Sequence, residues 1–137
     1  MNNKSLGNSF EREFCELLAE RGWWVHCLAQ NQVGQPADVI AVKNDTAVLI
    51  DCKVCANNRF PLSRIECNQE GAMTLWETQG NTLCYFAMKL SNGAIYMVHF
   101  DDLSLRQLYG EGTITSNEFS KFPTFEEWVK RMEDEGC

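Results

Sequence analysis

Two short runs rich in Val and Ile, Ala37–Lys43 and Ala47–Val54, separated only by Asn44-Asp45-Thr46, constrain this chain more than any other feature. Runs of that length and composition with a brief polar break between them read as a β-hairpin. Side chains alternate along a strand, so Ala47, Leu49, Asp51 and Lys53 share one face and Val48, Ile50, Cys52 and Val54 share the other. Asp51 and Lys53 therefore point the same way from within an apolar run, and Asp38 opens the partner run.

The rest of the chain supplies elements to pack around that hairpin. A helix is predicted from about Ser9 to Arg21, stopped by Gly22. Its Phe10, Phe14, Leu17 and Leu18 form one stripe, and Glu13, Glu16 and Glu20 group on the far side. Glu11 breaks the order, falling between Leu18 and Cys15 on the edge of the apolar stripe. Trp23–Ala29 reads as a strand, followed by the polar loop Gln30–Pro36. After Phe60-Pro61-Leu62, a helix is predicted over Glu66–Thr78, with Gln69, Ala72, Met73 and Trp76 on its inward stripe. Thr82–Leu90 and Ala94–Phe100 form a second hairpin about Ser91-Asn92-Gly93, and a short helix follows at Asp102–Leu108. Thr124-x-x-Glu127 is a capping box opening a last helix through Trp128 and Met132. With no repeat, low-complexity tract or linker, residues 1–137 read as one α/β domain built on a mixed sheet of about five strands flanked by helices.

Composition sets the boundaries. Hydrophobic residues make up 45% and aromatics 11% of the 137 residues, enough for a genuine core, which excludes intrinsic disorder. No run approaches the roughly 18 apolar residues of a membrane span, and Met1-Asn2-Asn3-Lys4-Ser5 lacks the pattern of a signal peptide. A soluble, cytoplasmic protein is expected. The seven cysteines are an odd number, read as reduced, mostly buried thiols without a disulfide framework. The net charge of −7 argues against a non-specific nucleic-acid coat, because phosphate affinity comes mainly from Lys and Arg. The acid is uneven: residues 1–60 carry six basic and seven acidic side chains, whereas residues 61–137 carry six and twelve. Any nucleic-acid role has to rest on local chemistry.

That chemistry is offered by Asp38, twelve intervening residues, then Asp51-Cys52-Lys53. Hairpin partners bring two carboxylates and an ammonium group to one point of the sheet. Two carboxylates bind a hard cation such as Mg²⁺, which lowers the pKa of bound water and neutralises charge on a phosphoryl oxygen, while a Lys orients that water. Glu11 can reach the same cation from the first helix. The competing reading makes Asp38 a turn residue, Asp51 and Lys53 an ion pair on a solvated sheet surface, and Glu11 a chance exception. Cys52-x-x-Cys55 with Cys67 and Cys84 suggests zinc only weakly, since structural zinc sites usually show a second tight pair and Cys52 belongs on the core side. Redox chemistry at the same pair is weaker still, as it lies along a strand.

The chain resembles the PD-(D/E)XK nucleases, and within them the RecU-type and archaeal Hjc-type Holliday junction resolvases. Gly7-Asn8-Ser9-Phe10-Glu11-Arg12-Glu13 is similar to the opening of the first helix in the archaeal enzymes. Gln35-Pro36-Ala37-Asp38-Val39-Ile40-Ala41 resembles their aspartate segment, and Leu49-Ile50-Asp51-Cys52-Lys53-Val54 their acidic-x-Lys strand. The stretch from Arg59-Phe60-Pro61-Leu62-Ser63 through Asn68-Gln69 and Met73 to Gly80 and Tyr85-Phe86 looks like the RecU segment that follows the catalytic lysine. The resemblance implies a restriction-endonuclease-like fold, with Glu11, Asp38 and Asp51 as ligands of Mg²⁺ (Mn²⁺ substituting), Lys53 positioning the nucleophilic water and Gln69 supporting the site. It also implies a homodimer that nicks two strands of a four-way DNA junction. The chain departs from the pattern in four places: Asp51 replaces the commoner Glu, Ala37 separates Pro36 from Asp38, Asn68 stands where RecU has His, and the neutral Gln30–Gln35 loop replaces a long basic segment.

Two alternatives stand beside it. One is a related repair or restriction nuclease acting on flaps, single strands or duplex, and the other a nuclease-fold module that binds DNA or protein without cutting. Lys4, Arg59, Arg64 and Lys89 are the basic residues placed near phosphates. His26 is expected to be partly buried, and Trp76, Tyr85, Phe86, Tyr96 and Phe100 are read as core or dimer interface. The acidic last helix is expected to face solvent or the dimer partner.

Overall fold

The computed structural model describes residues 3–28 and 37–135, so the Gln30–Gln35 loop lies outside it, as does the Lys4 side chain. The order is α1 (Asn3–Glu20), β1 (Trp24–Cys27), β2 (Val39–Lys43), β3 (Thr46–Cys55), β4 (Phe60–Pro61), α2 (Cys67–Thr78), β5 (Cys84–Leu90), β6 (Ile95–His99), α3 (Phe100–Leu108), β7 (Thr113–Ile114) and α4 (Phe125–Glu135). The main sheet has five strands, as expected, in the order β1-β2-β3-β5-β6, and β4 pairs β7 in a small second sheet that was not foreseen. Strands β1, β2 and β3 run antiparallel, β3 and β5 parallel, and β5 and β6 antiparallel.

The central hairpin is tighter than its sequence suggested. Lys43 pairs with Thr46, leaving the two-residue loop Asn44-Asp45 at φ 50° and 66°. Both loop residues are left-handed, as in a type I′ turn, whose twist matches that of the strands; Asn and Asp tolerate this conformation better than most residues. A parallel β3–β5 pair needs a crossover, and the segment holding β4, a short 3-10 turn at Leu62–Arg64 and α2 supplies it.

Apolar layers cover both faces of the sheet. On one side Phe10, Phe14 and Leu18 of α1 and Phe125, Trp128, Val129 and Met132 of α4 pack over Val39, Ala41, Val48, Ile50 and Cys52. On the other, Met73, Phe100 and Leu103, joined by Phe60, Leu62 and Phe119, cover Leu49, Phe86, Met88 and Val98. The Asp51 face is therefore a second core, and the solvated-surface reading of Asp51 and Lys53 does not hold.

Several local expectations are corrected. Helix α1 starts at Asn3 rather than near Ser9. The aromatics read as core or interface are in the core, divided between the two layers: Tyr85 packs edge-on against Trp128, and Trp76, Phe86, Tyr96 and Phe100 belong to the opposite side. Cys15 and Cys27 are brought side by side between α1 and β1, with Cα atoms 7.1 Å apart. The α4 capping box forms, Thr124 N–H donating to Glu127 at 2.9 Å and Glu127 N–H to the Thr124 hydroxyl at 3.2 Å. Its acidic face is partly neutralised within the chain, since Arg21 pairs with Glu126 and Glu133 and Lys43 with Glu133. Among the described residues no helix is long and apolar enough to cross a membrane.

Candidate active site

The centre grows out of the point where the β2–β3 ladder ends. Asp38, just before β2, donates its N–H to Ile50 O at 3.1 Å and accepts the Cys52 N–H on Oδ2 at 2.8 Å. Those two bonds fix its backbone and carboxylate against β3. Asp51 follows on β3 and is 1% exposed. Its Oδ1 accepts from Gln69 Nε2 at 3.0 Å, and its Oδ2 lies 3.3 Å from Lys53 Nζ. That contact is an ion pair without hydrogen-bond geometry, so the buried Oδ2 accepts no hydrogen bond.

Helix α2 positions Gln69. Glu66 is its N-cap, and the Glu66 N–H donates to Gln69 Oε1 at 3.2 Å within a capping box. With the oxygen end engaged by the helix terminus, the amide NH₂ is left to face Asp51. Glu66 is the residue that inspection of the sequence missed. A Glu two positions ahead of a helical Asn-Gln pair was the available signal, but Glu is a less usual N-cap than Ser, Thr, Asp or Asn.

Glu11 comes from α1, and its carboxyl is crowded by that of Asp38, which also crowds Asp51. Asp38 thus stands between the other two carboxyls. Burial, then the charge and hydrogen bond of Asp38, push the Glu11 carboxyl up to about 7. Burial, with the charge of Asp38 next, holds Asp51 well above the usual carboxylate range, and Lys53 offsets only part of this. Like charges crowded in a low-dielectric site cannot all ionise near neutral pH unless a cation joins them. The structure therefore brings Glu11, Asp38, Asp51, Lys53 and Gln69 to one place.

Other candidates lie elsewhere. His26 is exposed and stacked on Trp24, with ring centroids 6.1 Å apart, on the outermost strand. Lys89 is engaged 2.6 Å from Glu13 and sits over the Phe10 ring. Arg64 donates to Val54 O at 2.8 Å and lies over Phe60, while Arg59 is exposed. Cys52 and Cys55, three apart on a strand, enter opposite cores and cannot share a zinc ion. A separate group, Glu77, His99 and Asp101, gathers at the far end of α2.

A profile of the archaeal Holliday junction resolvase (Hjc) family matches residues 2–135. The chain belongs to that family. Membership in the Hjc family makes it a nuclease of the Holliday junction resolvase kind and branched DNA the expected partner. A solved structure of Hjc from Archaeoglobus fulgidus, described as a Holliday junction resolvase from an archaeal hyperthermophile, has the same fold. It is 17% identical with a TM-score of 0.68, covering 90% of this chain and 98% of its own. A search of curated protein sequences returns no match.

Proposed function

We propose that this Hjc-family chain is a divalent-cation-dependent endonuclease that resolves four-way DNA junctions by paired nicks, acting in the cytoplasm as a single-domain homodimer. The observation that carries the reading is the buried Asp51 Oδ2, which accepts no hydrogen bond in a cluster with Asp38, Glu11 and Lys53. A buried carboxylate oxygen without a hydrogen bond costs roughly 1–3 kcal/mol, which the Lys53 ammonium at 3.3 Å offsets in part and a cation would offset further. The donors are all oxygens, which suits Mg²⁺, with Mn²⁺ able to substitute. Glu11, Asp38 and Asp51 are the ligands that would hold the ion, and when bound it supplies a water of lowered pKa and neutralises phosphoryl charge.

The chain's own groups do the remaining work. Gln69 fixes Asp51 through Oδ1, so that Oδ2 presents to the cluster. The Lys53 ammonium, 11% exposed, is held by Asp51 where it can donate to the attacking water or to a phosphoryl oxygen. Asp38 is oriented by the Cys52 N–H and needs no rearrangement to act. Helices α2 and α3 cover the same sheet face and leave Leu75, Leu105, Leu108 and Tyr109 exposed, which favours a partner subunit on that side.

The test is purified protein with Mg²⁺ or Mn²⁺ on a synthetic four-way junction and on linear duplex, with sedimentation for oligomeric state. Symmetric nicks in opposing strands of the junction, made by a dimer, are expected. Linear duplex, flaps or single strands cut as readily would transfer the reading to a general repair or restriction-type nuclease. Junction binding with no cutting under any divalent ion would leave a non-catalytic module.

A further inference from the structure

The group at the far end of α2 has no part in the proposed nuclease chemistry. Glu77 closes the last turn of α2, His99 ends β6 and caps α3, and Asp101 lies in the first turn of α3. One ligand atom from each lies within 4.8 Å of the other two. Burial first, and then the neighbouring Asp101 carboxyl, push the Glu77 carboxyl above its usual range, and burial pushes the thiol of Cys84 at the start of β5 up to about 12. Gln69 and Glu77 are eight residues apart on α2, about 12 Å of helix rise, so the two clusters sit at opposite ends of one helix.

The imidazole is arranged as a metal ligand's would be. Its Nε2 lies 2.6 Å from Thr82 O and its Nδ1 accepts the Asp101 N–H at 3.0 Å. A carbonyl can only accept, so Nε2 carries the proton and Nδ1 the bare lone pair. Metal-bound histidines usually donate the other ring N–H to a carbonyl or carboxylate in this way, which fixes tautomer and ring angle. That lone pair accepts the Asp101 N–H, and Nδ1 also lies 3.7 Å from Asp101 Oδ2. The His99 side chain is 25% and that of Asp101 60% exposed, so an ion can enter from solvent.

We infer that Glu77, His99 and Asp101 form a second cation site, distinct from the nuclease cluster, that takes a borderline-soft ion such as Zn²⁺ with solvent completing its coordination. An imidazole beside two carboxylates suits Zn²⁺, whereas the all-oxygen cluster suits Mg²⁺. Coordination would exchange the Asp101 N–H contact at Nδ1 for a metal bond and pin the end of α2 to the β6–α3 corner.

The test is Zn²⁺ titration of chelator-treated full-length protein in excess Mg²⁺, read by calorimetry and by nitrogen NMR of the histidine rings and the Asp101 amide. One equivalent of Zn²⁺ should shift His99 Nδ1 and the Asp101 amide and leave the His26 ring unmoved. Glu77→Gln should weaken binding roughly tenfold or more, and Asp51→Asn should leave it unchanged. The wild-type spectra carry the result even if a variant fails to fold. A His99 ring unmoved by Zn²⁺, binding insensitive to Glu77→Gln, or binding lost in Asp51→Asn would each overturn the second site.

Discussion

Gln69 shows at the scale of one residue how the site is held. Its amide bridges the start of α2 and Asp51, so Gln69→Ala removes the only hydrogen bond that Asp51 Oδ1 receives from a side chain among the described residues. Cleavage should fall at least tenfold and Mg²⁺ should bind more weakly, while the α2 end frays by about 1 kcal/mol. Metal titration followed by single-turnover cleavage checks this, and an unchanged Mg²⁺ midpoint contradicts it. Glu11 gives a pH prediction. The folded chain holds its proton up to about pH 7, whereas the ordinary value is 4.5. The native state binds more protons than the unfolded state between those values, so metal-free protein loses stability as pH rises through that window. Glu11→Gln should flatten the fall in melting temperature between pH 5 and pH 8, and saturating Mg²⁺ should do the same. An unflattened fall would remove Glu11 from the cluster. Asp38, Asp51 and Lys53 were legible because charges inside apolar strand runs are rare, and Glu11 because it interrupts a helix stripe. The Glu77–His99–Asp101 group was illegible because its members come from two helices and a strand end, with no local pattern.

At the scale of the element, the β2–β3 hairpin decides whether the centre forms, because Asp38 meets the Cys52 N–H only in the observed register. A slip of one residue would turn Asp51 to the α1 side and Ile50 to the α2 side. Asp45 at φ 66° sets that register. Asp45→Val, a β-branched residue forced into the left-handed region, should cost about 1–2 kcal/mol, whereas Asp45→Gly should be neutral or stabilising. Urea unfolding of both variants distinguishes them, and equal losses would mean that the turn does not set the register. Val/Ile composition and period-two alternation made the five main strands readable. Strands β4 and β7 were not, since each is two residues long and exists only through its partner. Residues Ser116–Lys121 form a 3-10 helix, too short to carry a periodic signal.

For the whole molecule, charge sets how DNA can be approached. The chain carries −7, most of it after residue 60, and α4 already uses Glu126 and Glu133 to hold Arg21 and Lys43. Lys89 and Arg64 are likewise engaged inside the fold. With four of the twelve basic residues engaged in this way and nineteen acidic residues opposing the rest, log Kobs for a junction should fall with log salt at a slope of about −3 or shallower. A steep slope would point to a basic surface that the described residues do not display. A sheet flanked by helices was anticipated, and the burial of β3 on both faces removes the competing reading of a solvated face and puts the carboxylate cluster at low dielectric. The most direct measurement is single-turnover cleavage of a four-way junction in Mg²⁺ by wild type, Asp51→Asn and Lys53→Ala, with junction binding measured in parallel. Cutting reduced about a thousandfold or more at unchanged binding is the expected result; cutting at the wild-type rate by either variant contradicts the assignment of the active site.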